Sequence, residues 1–178
     1  MPDPIPAPVH DFRKGYPALR RGRCSVPDAE YFLTICLKRP AVALQEHEVV
    51  QRSLAELARL EAERVFIVRC AVHMPDHLHL LITLGAASTL SSVIRLFKGR
   101  LTPVLRRHHA AWQPTFYDHR VARTEDRLPV FLYIFLNPYR KGLVAHGQVW
   151  PGYYCSPEDW AWFQSLTSEG RPEPDWLK

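Results

Sequence analysis

Residues 66–84 read FIVRCAVHMPDHLHLLITL, two apolar runs joined at Pro75-Asp76. The first run is β-branched and aliphatic, and the second alternates imidazole with leucine before becoming wholly apolar. Proline followed by aspartate favours a tight turn, so the stretch predicts a β-hairpin. Alternate side chains of an extended strand share a face, which sets His77 and His79 on one side about 6 to 7 Å apart. Two imidazoles at that spacing can share one ion or one phosphate. Read as a bland feature, they are two satisfied histidines at a sheet surface. His73, four residues earlier, is expected to be a surface or supporting group rather than a ligand.

Outward from the hairpin, YFLTICLKR (31–39) predicts a strand, and ALQEHEVVQRSLAELARLEAERV (43–65) has the apolar spacing of an amphipathic helix. STLSSVIRLFKGRLTPVLRRHH (88–109) predicts a second helix capped by Ser88 or Ser91. TFYDHRVAR (115–123) predicts a fourth strand, and Thr124 precedes a third helix running through YIFLN and stopped by Pro138. The order β-α-β-β-α-β-α predicts an α+β fold of the ferredoxin-like split βαβ kind. That is a four-stranded antiparallel sheet with helices on one face and an additional C-terminal helix. The opposite face is left for a tail, a ligand or a partner.

The 178 residues are 47% hydrophobic and 23% charged, which suits one globular domain over 1–178 and argues against wholesale disorder. Residues 1–12 are proline-rich and expected to be flexible, while the aromatic segment 150–178 is expected to pack back on the core. A net charge of +5 fits an acidic partner such as nucleic acid. The four cysteines form no C-x-x-C pair, and no apolar run approaches the roughly 18 residues of a membrane span. A reduced, cytoplasmic protein with no membrane partner is expected.

The segment LYIFLNPYRKGLV (132–144) supplies what the histidines lack. Tyr133 and Asn137 are four apart, so on a helix they share a face. An amide oxygen suits a hard divalent cation, and a phenol beside a metal-polarised phosphodiester can act as a nucleophile. Asn137 could instead cap the helix ahead of Pro138, and Tyr133 could be a core aromatic.

Taken together, MPDHLHLLI, LFKGR, WQPTFYDHRV and YIFLNPYRKGLV resemble the REP-associated tyrosine transposases, a branch of the single-tyrosine HUH transposases. The likeness runs from about residue 31 to residue 154. It implies that His77 and His79 hold Mg²⁺ or Mn²⁺ with Asn137, and that Tyr133 is the nucleophile. It also implies cleavage of single-stranded DNA beside REP-like hairpin palindromes, leaving a 5′-phosphotyrosine and a free 3′-OH. The chain departs from the family at His73, where an aliphatic residue is usual, and at Pro129 inside the third helix.

Phosphate contacts are expected from Arg20, Arg21 and Arg23, from Arg95, Lys98 and Arg100, and from His119, Arg120, Arg123, Arg140 and Lys141. The competing function is a catalytically inactive, domesticated protein that binds single-stranded DNA or RNA hairpins. A metal-free two-histidine phosphodiesterase would need a second His-x-Ser/Thr, and the chain has none placed for it. Monomer and homodimer both remain open.

Overall fold

The computed structural model describes residues 24–177. Its strands are β1 (Glu30–Cys36), β2 (Phe66–His73), β3 (His77–Leu84), β4 (Tyr117–Val121) and β5 (Tyr153–Cys155). Its helices are α1 (His47–Ala62), α2 (Leu90–Arg107), α3 (Leu128–Arg140) and α4 (Pro157–Phe163). The sheet is antiparallel in the order β4-β1-β3-β2-β5. Four of these strands have the ferredoxin-like order, and β5 extends the sheet beyond β2. That fifth strand escaped the sequence reading because three residues carry no measurable alternation.

Strand parity builds two cores. Tyr31, Leu33 and Ile35 of β1 share a face with Leu78, Leu80 and Ile82 of β3, under Val49, Leu57 and Leu60 of α1 and Phe97 and Leu101 of α2. The opposite parity, Phe32, Leu81, Cys70 and Val72, packs beneath Phe131, Ile134 and Phe135 of α3 and Phe163 of α4. Burying each such aromatic contributes about 1.5 to 3 kcal/mol. In β2, Val68 pairs with Ile82 and Cys70 with Leu81, so Arg69 is an extra residue. This bulge switches the parity of the strand.

Several boundaries differ from the sequence reading. Helix α1 begins at His47, after a 3₁₀ turn at Ala43–Gln45, because Glu46 is extended. Thr89, not Ser88 or Ser91, caps α2 in a reciprocal box with Ser92. Pro129 lies in the first turn of α3, where its missing N–H costs nothing. Pro138 does not stop α3, which continues to Arg140. The stop is Gly142 at φ +67°, where Gly142 N donates to Tyr139 O and Leu143 N to Pro138 O, a Schellman closure.

Ion pairs fix the start of α3. Asp159 accepts from Arg127 Nη2 at 3.0 Å and lies 3.5 Å from Arg69 Nη1. Arg127 Nε lies 3.2 Å from Glu30 on β1. The helix is thus held between the sheet and α4 of the same chain.

Candidate active site

The pairing registers place the site. His77 is opposite Cys36 and His79 opposite Thr34, all with the parity that faces α3. The two imidazole Nε2 atoms are 3.1 Å apart. His77 Nδ1 is 2.7 Å from Asp76 Oδ1, and His79 Nδ1 is 2.9 Å from Thr34 Oγ1. Phe32 stacks on His79 with ring centres 5.3 Å apart. Tyr133 descends from α3 with its ring centre 5.2 Å from that of His79 and 5.6 Å from that of Phe32. Asn137 follows one turn later on the same helix face and is 7% exposed.

The outer nitrogens decide what the inner ones offer. The hydrogen bond from His77 comes first among the causes that hold the Asp76 carboxyl below its usual range. Ionised, Asp76 can only accept, so His77 Nδ1 carries a proton, and in the neutral imidazole Nε2 presents a lone pair. Thr34 can either donate to His79 Nδ1 or accept from it. When it accepts, both Nε2 lone pairs face each other and call for a cation between them. When it donates, His79 Nε2–H is free to donate to His77.

These groups fit a small divalent ion. Nitrogens each about 2.0 to 2.1 Å from one ion, at near right angles, stand about 3 Å apart. Partners at Nδ1, here half-exposed Asp76 and buried Thr34, are what fixes ring orientation in metal sites. Among the described residues, no cluster of three or more His, Cys, Asp or Glu side chains could hold a metal. A third protein ligand, if one were present, would be of another residue type, and α3 carries the amide of Asn137. Its carbonyl accepts from Lys141, the C-cap residue, so Asn137 lies inside the helix and is not its cap.

Other expected residues lie elsewhere. His73 is fully buried on the α1 side of the sheet, with Nε2 2.7 Å from Ser53 Oγ and Nδ1 3.1 Å from Gly152 O. It is neither a surface group nor a support for the pair. Burial lowers its pKa to about 4. Arg95 is exposed on α2, which covers the face away from the site. Lys98 Nζ donates to Gln113 O and Thr115 O at 2.9 and 2.8 Å, and Arg100 pairs with Glu56 and Glu63. Both fasten elements of the fold.

On β4, Arg120 is opposite Tyr31 and so has the parity of the α1 and α2 face. His119, opposite Phe32, has the site's parity and lies 3.2 Å from Glu125. Arg123 is exposed in the loop before α3. Arg140, whose Nη2 donates to Trp176 O, and exposed Lys141 end the helix of Tyr133. Arg20, Arg21 and Arg23 lie outside the described residues. The sequence reading missed Thr34 and Phe32, whose only signal is strand parity. It read Asp76 as a turn residue, although adjacency to His77 marked it.

Residues 25–125 match a family model described as Transposase IS200 like. That match ends before α3, so it includes the histidine pair but not Tyr133 or Asn137. The chain is 26% identical over 152 residues to a REP-associated tyrosine transposase of Escherichia coli strain K12, covering 78% of this chain and 88% of that protein. Among solved structures, it is similar to a REP-associated tyrosine transposase bound to a REP hairpin. The TM-score is 0.63 at 26% identity, with 74% of this chain and 79% of the other covered. No helix among the described residues is long and apolar enough to cross a membrane.

Proposed function

The chain belongs to the family of IS200-like transposases, and on that premise we propose that it nicks and rejoins single-stranded DNA beside a hairpin through Tyr133. The observation that carries this reading is the meeting of three side chains from two elements. The facing Nε2 atoms of His77 and His79 stand 3.1 Å apart, with the Tyr133 ring 5.2 Å from His79. A hairpin-bound structure of a similar protein supports the choice of partner.

In this reading His77, His79 and Asn137 hold Mg²⁺ or Mn²⁺, which when bound polarises the scissile phosphodiester. Tyr133 Oη attacks the phosphorus, forming the Tyr–O–P bond as the P–O3′ bond breaks. The departing oxygen takes a proton and becomes a free 3′-OH, while the phenol proton passes to solvent at the half-exposed site. Attack of a 3′-OH on the phosphotyrosine reverses the exchange and regenerates the phenol. The phosphotyrosine conserves the energy of the broken diester, so rejoining needs no nucleotide cofactor. Half-buried Tyr117 borders the centre and offers an aromatic ring to an unpaired base, a contact worth about 1 to 3 kcal/mol.

A hairpin oligonucleotide with an unpaired flank, incubated with Mn²⁺, should give a covalent protein–DNA adduct that survives a denaturing gel. Tyr133→Phe should bind the DNA and form no adduct. Adduct formation by that variant would move the nucleophile to another tyrosine, and none by the wild type would favour the binding-only alternative.

A further inference from the structure

The chain leaves β1 beside the histidine pair. Cys36 is the cross-strand partner of His77, Leu37 N donates to Asp76 O at 2.8 Å, and Lys38 N donates to Ala111 O at 2.7 Å. These bonds seat the loop after β1 between the turn of Asp76 and the end of α2. A groove of about 480 Å³ runs between that loop and residues 108–111. Its ionisable lining is basic throughout: Lys38, Arg39, His108 and His109. The rest is aliphatic, with Val42 and Ala111 among it, and the lining holds no Phe, Tyr or Trp. One of the four, His108, lies 3.3 Å from Glu48 outside the groove.

His109 adds an independent observation. It lies just past the end of α2 at φ +52°, a left-handed position that favours glycine after a helix. The fold accepts a Cβ there at a conformational cost, and the side chain so retained is an imidazole in the groove.

We propose that this groove binds the paired stem of the DNA hairpin through its backbone phosphates. The proposal rests on the reading of the chain as a hairpin-directed transposase and names the surface that takes the stem. Basic groups without aromatic platforms suit phosphates and not splayed bases, which need stacking surfaces. Partly exposed aromatic rings stand instead at the centre, where Tyr117 and Tyr133 pack against buried Phe32. Lys38 follows Cys36 by two residues, about 7 Å along the chain. A stem in the groove therefore ends beside the histidines, where its unpaired flank enters.

Fluorescence anisotropy with chelator present tests this without cutting, using a labelled hairpin with a flank and the unpaired flank alone. For the double variant Lys38→Gln, Arg39→Gln, hairpin affinity should fall about tenfold or more at 0.1 M salt. Its log-affinity against log-salt slope should shrink by about 1.8, or about 0.9 for each phosphate left without its cation. Binding of the flank alone should not change. His109→Gly should keep or raise Tm, since glycine takes this φ freely, and still weaken hairpin binding several-fold. Unchanged hairpin binding, equal losses on the flank alone, or a wild type that binds neither DNA would each overturn the proposal. Wild type that binds through the groove but forms no Tyr133 adduct with Mn²⁺ counts against the catalytic reading and leaves the groove standing.

Discussion

Thr34 and His79 face each other across the β1–β3 ladder, hydroxyl oxygen to Nδ1 at 2.9 Å. Both are buried, so the direction of this one hydrogen bond sets whether His79 Nε2 is a lone pair or a donor. Thr34→Val keeps the shape and removes the choice. Supporting partners of metal-bound histidines are typically worth about 10- to 100-fold in metal affinity or activity. A loss of that size is expected in Mn²⁺ titrations of cleavage, with a stability cost of about 1 to 3 kcal/mol for the stranded Nδ1. An unaltered titration would show that Thr34 is packing alone.

Metal binding should be visible without DNA. A ligand that binds the folded state at 100 times its Kd stabilises it by about 2.7 kcal/mol, which thermal melts resolve. Mn²⁺ should raise the Tm of the wild type, and chelator should reverse the rise without unfolding the protein. His77→Ala and His79→Ala should abolish the rise, while Asn137→Ala should only reduce it, because water can replace an amide oxygen. An undiminished rise in both histidine variants would place the ion elsewhere.

His73 gives the fold a dependence on pH. Its pKa is lowered to about 4 by burial, whereas an unfolded histidine titrates near 6.5. The unfolded chain therefore binds the extra proton first. Stability from this group is complete above pH 6.5 and is lost as pH falls toward 4, about 3 kcal/mol over the whole window. His73→Leu should flatten the Tm profile between pH 6.5 and 4. It should also be less stable than the wild type at pH 8, where Ser53 and Gly152 O lose their partner. A parallel slope in both proteins would assign the window to other groups.

Lys98 separates folding from DNA contact. Its ammonium ties the carbonyls of Gln113 and Thr115, so Lys98→Met should cost about 1 to 3 kcal/mol by stranding them. The salt slope of DNA binding should stay unchanged. A slope reduced by about 0.7 to 0.9 would return Lys98 to the phosphate contacts.

Four of the five strands were legible because each repeats its signal over several residues. Leu78, Leu80 and Ile82 alternate against His77, His79 and Leu81, and the same parity separates Tyr31, Leu33 and Ile35 from Phe32. The histidine pair could be read from two residues and Tyr133 from one helical turn. What failed needed information from another element. The basic run from Arg95 to Arg100 resembles a DNA-facing stripe until Glu56 and Glu63 of α1 take up Arg100. His73 resembles a neighbour of the pair, but the turn sets it opposite Leu78 and so sends the side chain to the α1 face. Pro138 reads as a helix stop, yet its fixed φ is itself helical, so α3 runs past it to Arg140 without one i→i−4 bond and Gly142 supplies the turn. Lys38 and Arg39 gave no signal, since only the docking of their loop against Ala111 makes them a surface.

The ion pairs joining Arg127 and Arg69 to Asp159, and Arg127 to Glu30, keep α3 on the sheet of its own chain. The histidines and the tyrosine meet within one polypeptide in this fold, and a centre built that way has a genetic consequence. If the proposed centre works within one chain, a cell carrying one copy with His77→Ala and another with Tyr133→Phe holds two broken centres. The two alleles should fail to complement, and one intact allele should give activity in simple proportion to its dose.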